Sequence, residues 1–308
     1  EAEASLASRA ANLAAAAGET SDAARTAAED LTQRKPNPWF VRAVGTSAQP
    51  YHPFGEYAAM ELGYRKIAVI ADDFAFGHEI ASGFQRTFEE NGGKVVQKLW
   101  SPLNTPDYGS YISQIEPDVD AVFAAFAGGN GIKFLQQYNN YGMTTPVLGA
   151  MTTVDEGVLK SMGDEAVGVI SAGWYSAANG NPGNREFTEA VRKQYGADPG
   201  YYTVGAYMAC QFLNNALEKV GGDVEDREAL MKALRSVSID SGPYGKVSID
   251  DLGQPVMDVT IRKVERKDGR LQNTVVRTYP ATSQFWTYDQ KEFLAQPVYS
   301  RDYQPAKK

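Results

Sequence analysis

The sequence predicts a doubly wound α/β architecture with two cores, on three observations. The apolar runs "IAVIA" (67–71), "AVFAAFA" (121–127) and "VGVISA" (167–172) are continuous, not alternating. Strands buried on both faces of a helix-covered parallel sheet read that way. Helix-like segments separate these runs, which is the αβαβ rhythm of a doubly wound sheet. The chain has 308 residues, too many for one small core, so two lobes are expected.

Taken in order, residues 1–33 are alanine-rich with scattered charges and suit one or two surface helices, broken near Gly18. Pro36 and Pro38 stop helix, and the residues after them in "PNPWFVRAV" (36–44) read as a strand. Helix is expected over 50–62, strand over 66–71 and helix over 77–91, ended by "NGG". Strand 94–100, a helix near 107–116, strand 119–126 and helix 131–141 follow. Strand 146–149, a helix near 154–162, strand 166–173 and helix 183–196 complete the alternating part. Strands 66–71 and 119–126 are expected to be central, having the longest unbroken apolar runs. After residue 200 the rhythm changes to helices 201–220 and 226–237. "YGKVSID", "VMDVTIRKVER" and "NTVVRTYPA" then read as strands, with "DDLG" and "RKDGR" as turns. The aromatic-rich final residues, 281–308, read as a tail wrapped on the body.

Composition excludes several functions. The net charge of −8 and pI near 5.0 argue against a nucleic-acid surface. No apolar run approaches the roughly 20 residues of a membrane span. Cys210 is the single cysteine, so neither an internal disulfide nor a zinc site can be built from thiols, and a buried structural thiol is expected. The two histidines, His52 and His78, lie 26 positions apart with no ligand-spaced partners. No nucleophile elbow, P-loop or zincin motif is present, so neither enzyme chemistry nor a cofactor or metal is expected. "FAGGNGIKF" (126–134) has the context of a phosphate loop but not its spacing. The start, "EAEA", is either a processing scar or native sequence; the chain carries no signal peptide and reads as processed or excised.

"DDFAFGHEI" (72–80) follows a strand and opens a helix, at the sheet edge where open α/β proteins bind ligands. Asp72 or Asp73 is expected to cap that helix through its free amides. Phe74 and Phe76 lie on the loop and either pack beneath it or face a cleft. Trp174 and Tyr175 occupy the equivalent place after strand 166–173. Aromatic side chains gathered at carboxyl strand ends suit a pocket for an apolar or aromatic molecule.

These segments carry a resemblance. "IAVIADDFAFG", a helix ending in "ENGGKVV", and "DVDAVFAAFAGGNGIKFLQQYNNYG" resemble the leucine/isoleucine/valine-binding branch of type I periplasmic binding proteins. "SMGDEAVGVISA", "NREFTEAVRKQYGADPGYYTVGAYMA" and "ALRSVSIDSGPYGKVSIDDLGQPV" continue the likeness in order, from about residue 26 to 265. The resemblance implies a two-lobed, non-enzymatic α/β receptor in the periplasm or otherwise outside the cytoplasm. It implies a small-molecule solute held between the lobes and delivered to an ABC transporter permease, with no nucleic acid and a monomeric state. Lobe 1 would comprise 1–47, 200–242 and 265–308. Lobe 2 would comprise 48–199 with about 243–264. A ligand-sensing regulator or receptor domain of the same fold is the alternative; it would carry an output segment, which these residues do not show.

The resemblance has two departures. Only 25 residues precede "TAAEDLT" (26–32), where the family has a longer strand–helix–strand series, so lobe 1 is expected to be incomplete or diverged. The family's grip on an amino acid is also altered. Ala27, Ala28 and Glu29 match the segment that holds the ligand carboxylate, with Glu29 in place of a hydroxyl residue. Met151 and Thr152 stand where an acid would hold the ammonium, and Phe76 replaces a tyrosine. The expected solute is therefore an aromatic or aliphatic carboxylate, or a branched or aromatic amino acid. Its site would combine Ala27, Ala28, Glu29, Phe74, Phe76, Gly128, Gly129, Met151, Thr152 and Tyr175.

Overall fold

The computed structural model of the chain describes residues 28–305. The helices expected within 1–27, and Ala27 of the expected site, lie outside the described residues. Five strands form the first half: β1 (Lys66–Asp72), β2 (Lys94–Ser101), β3 (Ala121–Ala125), β4 (Val147–Ala150) and β5 (Ile170–Gly173). They run parallel in the order β2-β1-β3-β4-β5. Both β1 and β3 are flanked on each side. Helices α1 (Tyr51–Met60), α2 (Ala75–Glu90), α3 (Gly109–Ile112), α4 (Gly129–Asn140) and α5 (Glu156–Leu159) connect and cover them.

Side-chain alternation explains the unbroken apolar runs. On β1, Ile67, Val69 and Ala71 join Phe54, Phe84, Phe88 and Phe123 in one core, under α1 and α2. Ala68 and Ile70 turn the other way, into a second core with Phe126, Phe134 and Leu159. Both faces are covered, so neither side of the strand can be polar.

The second half adds α6 (Pro182–Tyr195), α7 (Tyr201–Lys219) and α8 (Arg227–Arg235). Four antiparallel strands follow: β6 (Ser238–Gly242), β7 (Gly245–Ile249), β8 (Pro255–Lys267) and β9 (Arg270–Thr282). β8 links the two halves of the sheet. Its start, Pro255–Met257, pairs with β7, and its middle, Thr260–Lys263, pairs with β5. A third core, containing Val204, Met208, Phe212, Tyr244, Val247 and Met257, lies on the β7 side. The β8–β9 hairpin turns on Asp268-Gly269, both at positive φ (50° and 77°), the two-residue geometry that matches strand twist.

Several sequence expectations need correction. Residues 38–44 form no strand: against the neighbouring 253–254 segment they make one backbone bond, Arg42 N–H to the Gly253 carbonyl, which does not continue into a ladder. The helix near 107–116 shortens to α3, because the Gln114 and Ile115 amides bond three residues back and tighten the coil. The helix near 154–162 shortens to α5, with a 3-10 turn at Met151–Val154 ahead of it and Asp155 between them capping α5 by accepting the Gly157 N–H. Another 3-10 turn at Asp164–Ala166 takes the start of the expected strand 166–173. Strand β6 was not anticipated. Cys210 is exposed on α7, not buried.

The tail carries α9 (Gln290–Ala295) and forms a further cluster of Phe285, Phe293, Tyr299 and Tyr303 against Ala48. Tyr299 meets the buried His52 of α1, with its hydroxyl 2.7 Å from Nε2.

Candidate functional site

A cleft of about 500 Å³ opens at the carboxyl ends of β1, β3, β4 and β5. One wall is the junction of the loop after β1 with the first turn of α2, which begins at Ala75, so that Phe76 is helical and not on the loop as expected. There Phe74 and Phe76 stack with ring centroids 5.6 Å apart and planes 26° apart. Ala127, after β3, and Met151 and Thr152, after β4, continue that side. The opposite wall is Val44, Gly45 and Ser47 from the segment before α1, with Trp174 after β5. Tyr201, Tyr202, Gly205 and Ala206 from the first turns of α7 complete it. The six rings and small residues leave the lining without a single Asp, Glu, Lys, Arg or His.

Packing fixes these walls. Trp174 lies flat against Gly45, where any Cβ would collide with its ring. Trp174 and Tyr201 meet edge to face at 6.0 Å. Met151 is held from both sides. Its N–H donates to the Tyr51 hydroxyl oxygen at 2.9 Å, and its carbonyl accepts from Arg262 Nη2 at 3.3 Å. Arg262 is fully buried and also donates to the Tyr175 carbonyl (2.7 Å) and Ser171 Oγ (3.1 Å). Glu156 lies 3.7 Å away as its counter-ion, and burial pushes the Glu156 carboxyl up to about 7. Asp155 ties the turn after β4 to α7 by accepting the N–H groups of Gly157 (2.9 Å) and Tyr201 (2.8 Å).

The structure brings Phe74, Phe76, Met151 and Thr152 of the expected site into one cleft. The other described members fall outside its lining. Tyr175 turns away from its neighbour Trp174, as successive residues of an extended segment must, and packs against Phe187 in the third core. Glu29 is buried behind the wall: its carboxylate accepts the Ala48 N–H at 2.6 Å and the Gln33 side-chain amide at 2.5 Å. The Ala28 carbonyl accepts from Arg42 at 3.0 Å, so this segment is spent on bracing. Gly128 and Gly129 are exposed beyond Ala127, at the start of α4, and a Cβ on either would meet open space.

The capping expectation for "DDFAFGHEI" is also overturned. Phe74 is the N-cap of α2 and no side chain bonds its amides. The Asp72 carboxylate instead accepts the Ala127 N–H and Asn130 Nδ2, both at 2.9 Å, and so pins the start of α4 to β1. Burial pushes its pKa up to about 6. Asp73 pairs with His78 (2.8 Å) and Arg301 (3.3 Å). His78 is thereby occupied, with Trp100 edge-on at 4.7 Å.

Sequence reasoning missed Tyr51, Tyr201, Tyr202 and the 44–47 segment. Tyr201-Tyr202 carried a signal, since an aromatic pair at the start of a helix near the expected crossing at 200 lies where two lobes meet. Tyr51 carried none, because an aromatic residue in a helix is ordinarily core.

Among the described residues no helix is long and apolar enough to cross a membrane, and no group of three His, Cys, Asp or Glu could hold a metal. The comparisons with known proteins agree with one another. The Leu/Ile/Val-binding protein homolog 6 of Brucella melitensis is 27% identical over 254 residues, covering 79% of this chain and 64% of that protein. The chain therefore spans about two thirds of that relative's length. An ABC transporter substrate-binding protein from Sphaerobacter thermophilus superposes with a TM-score of 0.79 at 32% identity, over 83% of this chain and 71% of the other. A solute-binding protein of an ABC transporter from Rhodopseudomonas palustris BisB5, solved with 3,4-dihydroxy benzoic acid, gives 0.78 at 33% identity, with coverages of 83% and 71%. The profile of the family described as "Periplasmic binding protein" matches residues 3–270. This chain belongs to the periplasmic binding protein family, in the type I branch of the Leu/Ile/Val-binding proteins.

Proposed function

We propose that this chain is the solute-receiving part of an extracytoplasmic binding protein that delivers an aromatic carboxylate to the membrane permease of an ABC importer, without catalysing a reaction. The observation that carries the reading is the lining of the cleft. Six aromatic rings surround about 500 Å³, the size of a small-ligand site. No lining carboxylate is available to hold an ammonium group. A free amino acid would bury that charge without a partner, which costs several kcal/mol. A benzoate-like acid has no such group, and its ring matches the walls. A solute of this class bound to the Rhodopseudomonas palustris relative supports the same choice.

Closure of two lobes on the solute is part of the proposal. Lobe 2 is proposed as 48–199 with about 243–264, and lobe 1 as 1–47, 200–242 and 265–308, in the periplasm and as a monomer. The cleft lies between elements of both: the loops after β1, β3 and β4 on one side, α7 on the other. A ligand draws the lobes together only by contacting both walls better than water does.

Calorimetry with benzoate, 4-hydroxybenzoate, 3,4-dihydroxybenzoate, phenylpropanoids and branched amino acids tests the proposal on the parent and on Phe76→Ala. Aromatic acids are expected to bind more tightly than leucine or valine, and Phe76→Ala to lose about tenfold through lost stacking and burial. Tight binding of leucine with no aromatic acid bound would overturn the solute class. Equal binding by Phe76→Ala would return that ring to core packing.

A further inference from the structure

We propose that Tyr51 is the hydrogen-bond donor that selects the carboxylate of the solute, at the inner end of the cleft. The inference rests on the aromatic-acid reading above and names the residue that would make it selective. Tyr51 is the first residue of α1; it is 2% exposed and its ring sits 5.8 Å from Phe123 in the core. It also lines the cleft. A phenol offers one hydrogen and accepts through its oxygen. The oxygen already accepts the Met151 N–H at 2.9 Å. The hydrogen has no acceptor among the described residues, although the ring is almost wholly buried.

A buried donor left unpaired is costly, and Tyr51 lines the cleft, from which an acceptor on a solute can reach it. Other lining hydroxyls are differently placed. Thr152 Oγ1 spends its hydrogen on the Phe126 carbonyl at 2.7 Å. Tyr202 is 71% exposed and can turn to water.

The surroundings of Tyr51 favour an anion as the acceptor. Arg262 lies behind Met151, fully buried, and donates to the Met151 carbonyl. Its charge reaches Tyr51 through the low-dielectric core. Glu156 answers that charge at 3.7 Å, outside hydrogen-bond distance, and burial holds the carboxyl partly protonated near neutrality. The floor of the cleft therefore presents an O–H backed by positive potential, with no cation exposed to attract salts from solution. A charge-assisted bond to a carboxylate oxygen is stronger than one to a neutral amide.

The test is calorimetry with benzoate and benzamide on the parent and on Tyr51→Phe, with thermal melts to verify folding. The expected result is that the parent prefers benzoate, that Tyr51→Phe loses at least tenfold for benzoate, and that benzamide changes by a few-fold or less. Loss of both ligands in equal measure, or of neither, overturns the role of the hydroxyl while leaving the aromatic-acid reading intact. Failure of the parent to bind any aromatic acid overturns both. If Tyr51→Phe does not fold, a crystal structure of the parent with benzoate decides. A carboxylate oxygen within hydrogen-bond distance of Tyr51 Oη supports the assignment, and a carboxylate directed elsewhere overturns it.

Discussion

Two regions of this molecule are built from aromatic rings, and they behave differently. In the tail cluster every ring is answered by another group. Phe293 meets Phe285, His52 and Tyr299 edge to face, and the Arg86 guanidinium lies over Tyr288 and Phe293 at 3.7 and 4.6 Å. In the cleft, Phe74 and Phe76 stack on each other, Tyr201 and Tyr202 face each other, and about 500 Å³ stays open between the pairs. The first arrangement spends its surface on stability, and the second reserves it for a solute. Aromatic content does not mark a site; rings left without neighbours on one face do.

The largest expected effect is on the tail. Phe293→Ala removes a 2% exposed ring from the centre of that cluster and should cost about 3–5 kcal/mol in urea denaturation. Phe76→Ala, at a half-buried wall, should cost about 1 kcal/mol while weakening solute binding. Similar stability losses in the two variants would erase the distinction between the regions.

The pH dependence separates the regions further. Burial, with Arg86 nearby, holds His52 at a pKa of about 3, below its ordinary 6.5. Its contribution is fully present above pH 6.5 and is lost as pH falls toward 3, because the unfolded chain takes up the proton first. That loss should run at about 1.4 kcal/mol per pH unit below pH 6, and His52→Gln should remove it. The carboxyls of Glu29 and Glu79, behind the cleft wall, shift the other way. Burial first, and each other's charge in the case of Glu79, raise both well above 4.5, against the pull of Arg42. Their contribution is present below pH 4.5 and is lost as pH rises through the neutral range. Glu79→Gln should flatten the decline between about pH 4.5 and 8 and leave the limb below pH 4.5, where His52 alone of these groups titrates, unchanged; a change below pH 4.5 would mean that the two regions are not independent.

The fold was legible wherever burial was two-sided. "IAVIA" and "AVFAAFA" could only be interior strands, and Asp268-Gly269 could only be a tight turn. Boundaries failed where side chains compete with the backbone. Asp155 takes the Gly157 and Tyr201 amides and, as the N-cap of α5, starts that helix at Glu156 and not near 154 as periodicity reads it. The site was half legible. Phe74, Phe76, Met151 and Thr152 follow strands of a parallel sheet, and the sheet-edge rule places them. Glu29 followed the resemblance instead of its own chemistry, and a carboxylate with two strong donors beside it is braced, not available. Trp174 follows β5 and obeys the same rule, whereas Tyr51 and the 44–47 segment reach the cleft through tertiary packing that no local pattern encodes.

An effect as small as that of Phe76→Ala tests what joins the two walls. Asp155 is 6% exposed, yet its bonds go to two N–H groups, at Gly157 and Tyr201, on either side of the cleft. Both amides begin helices and would otherwise be orphans. Replacing a capping Asp by Ala costs about 1 kcal/mol, because water can partly substitute at a helix start. Asp155→Ala should therefore cost about 1 kcal/mol, well below Phe293→Ala. It should also lower the Glu156 carboxyl from its raised value, since Asp155's charge is one of the causes that hold it up. The readouts are urea denaturation and carboxyl titration by NMR. A loss as large as that of Phe293→Ala would make this polar tie, and not aromatic packing, the principal clamp of the molecule. The open cleft would then be held apart by one carboxylate, and the contrast between a closed aromatic tail and an open aromatic cleft would have the wrong cause.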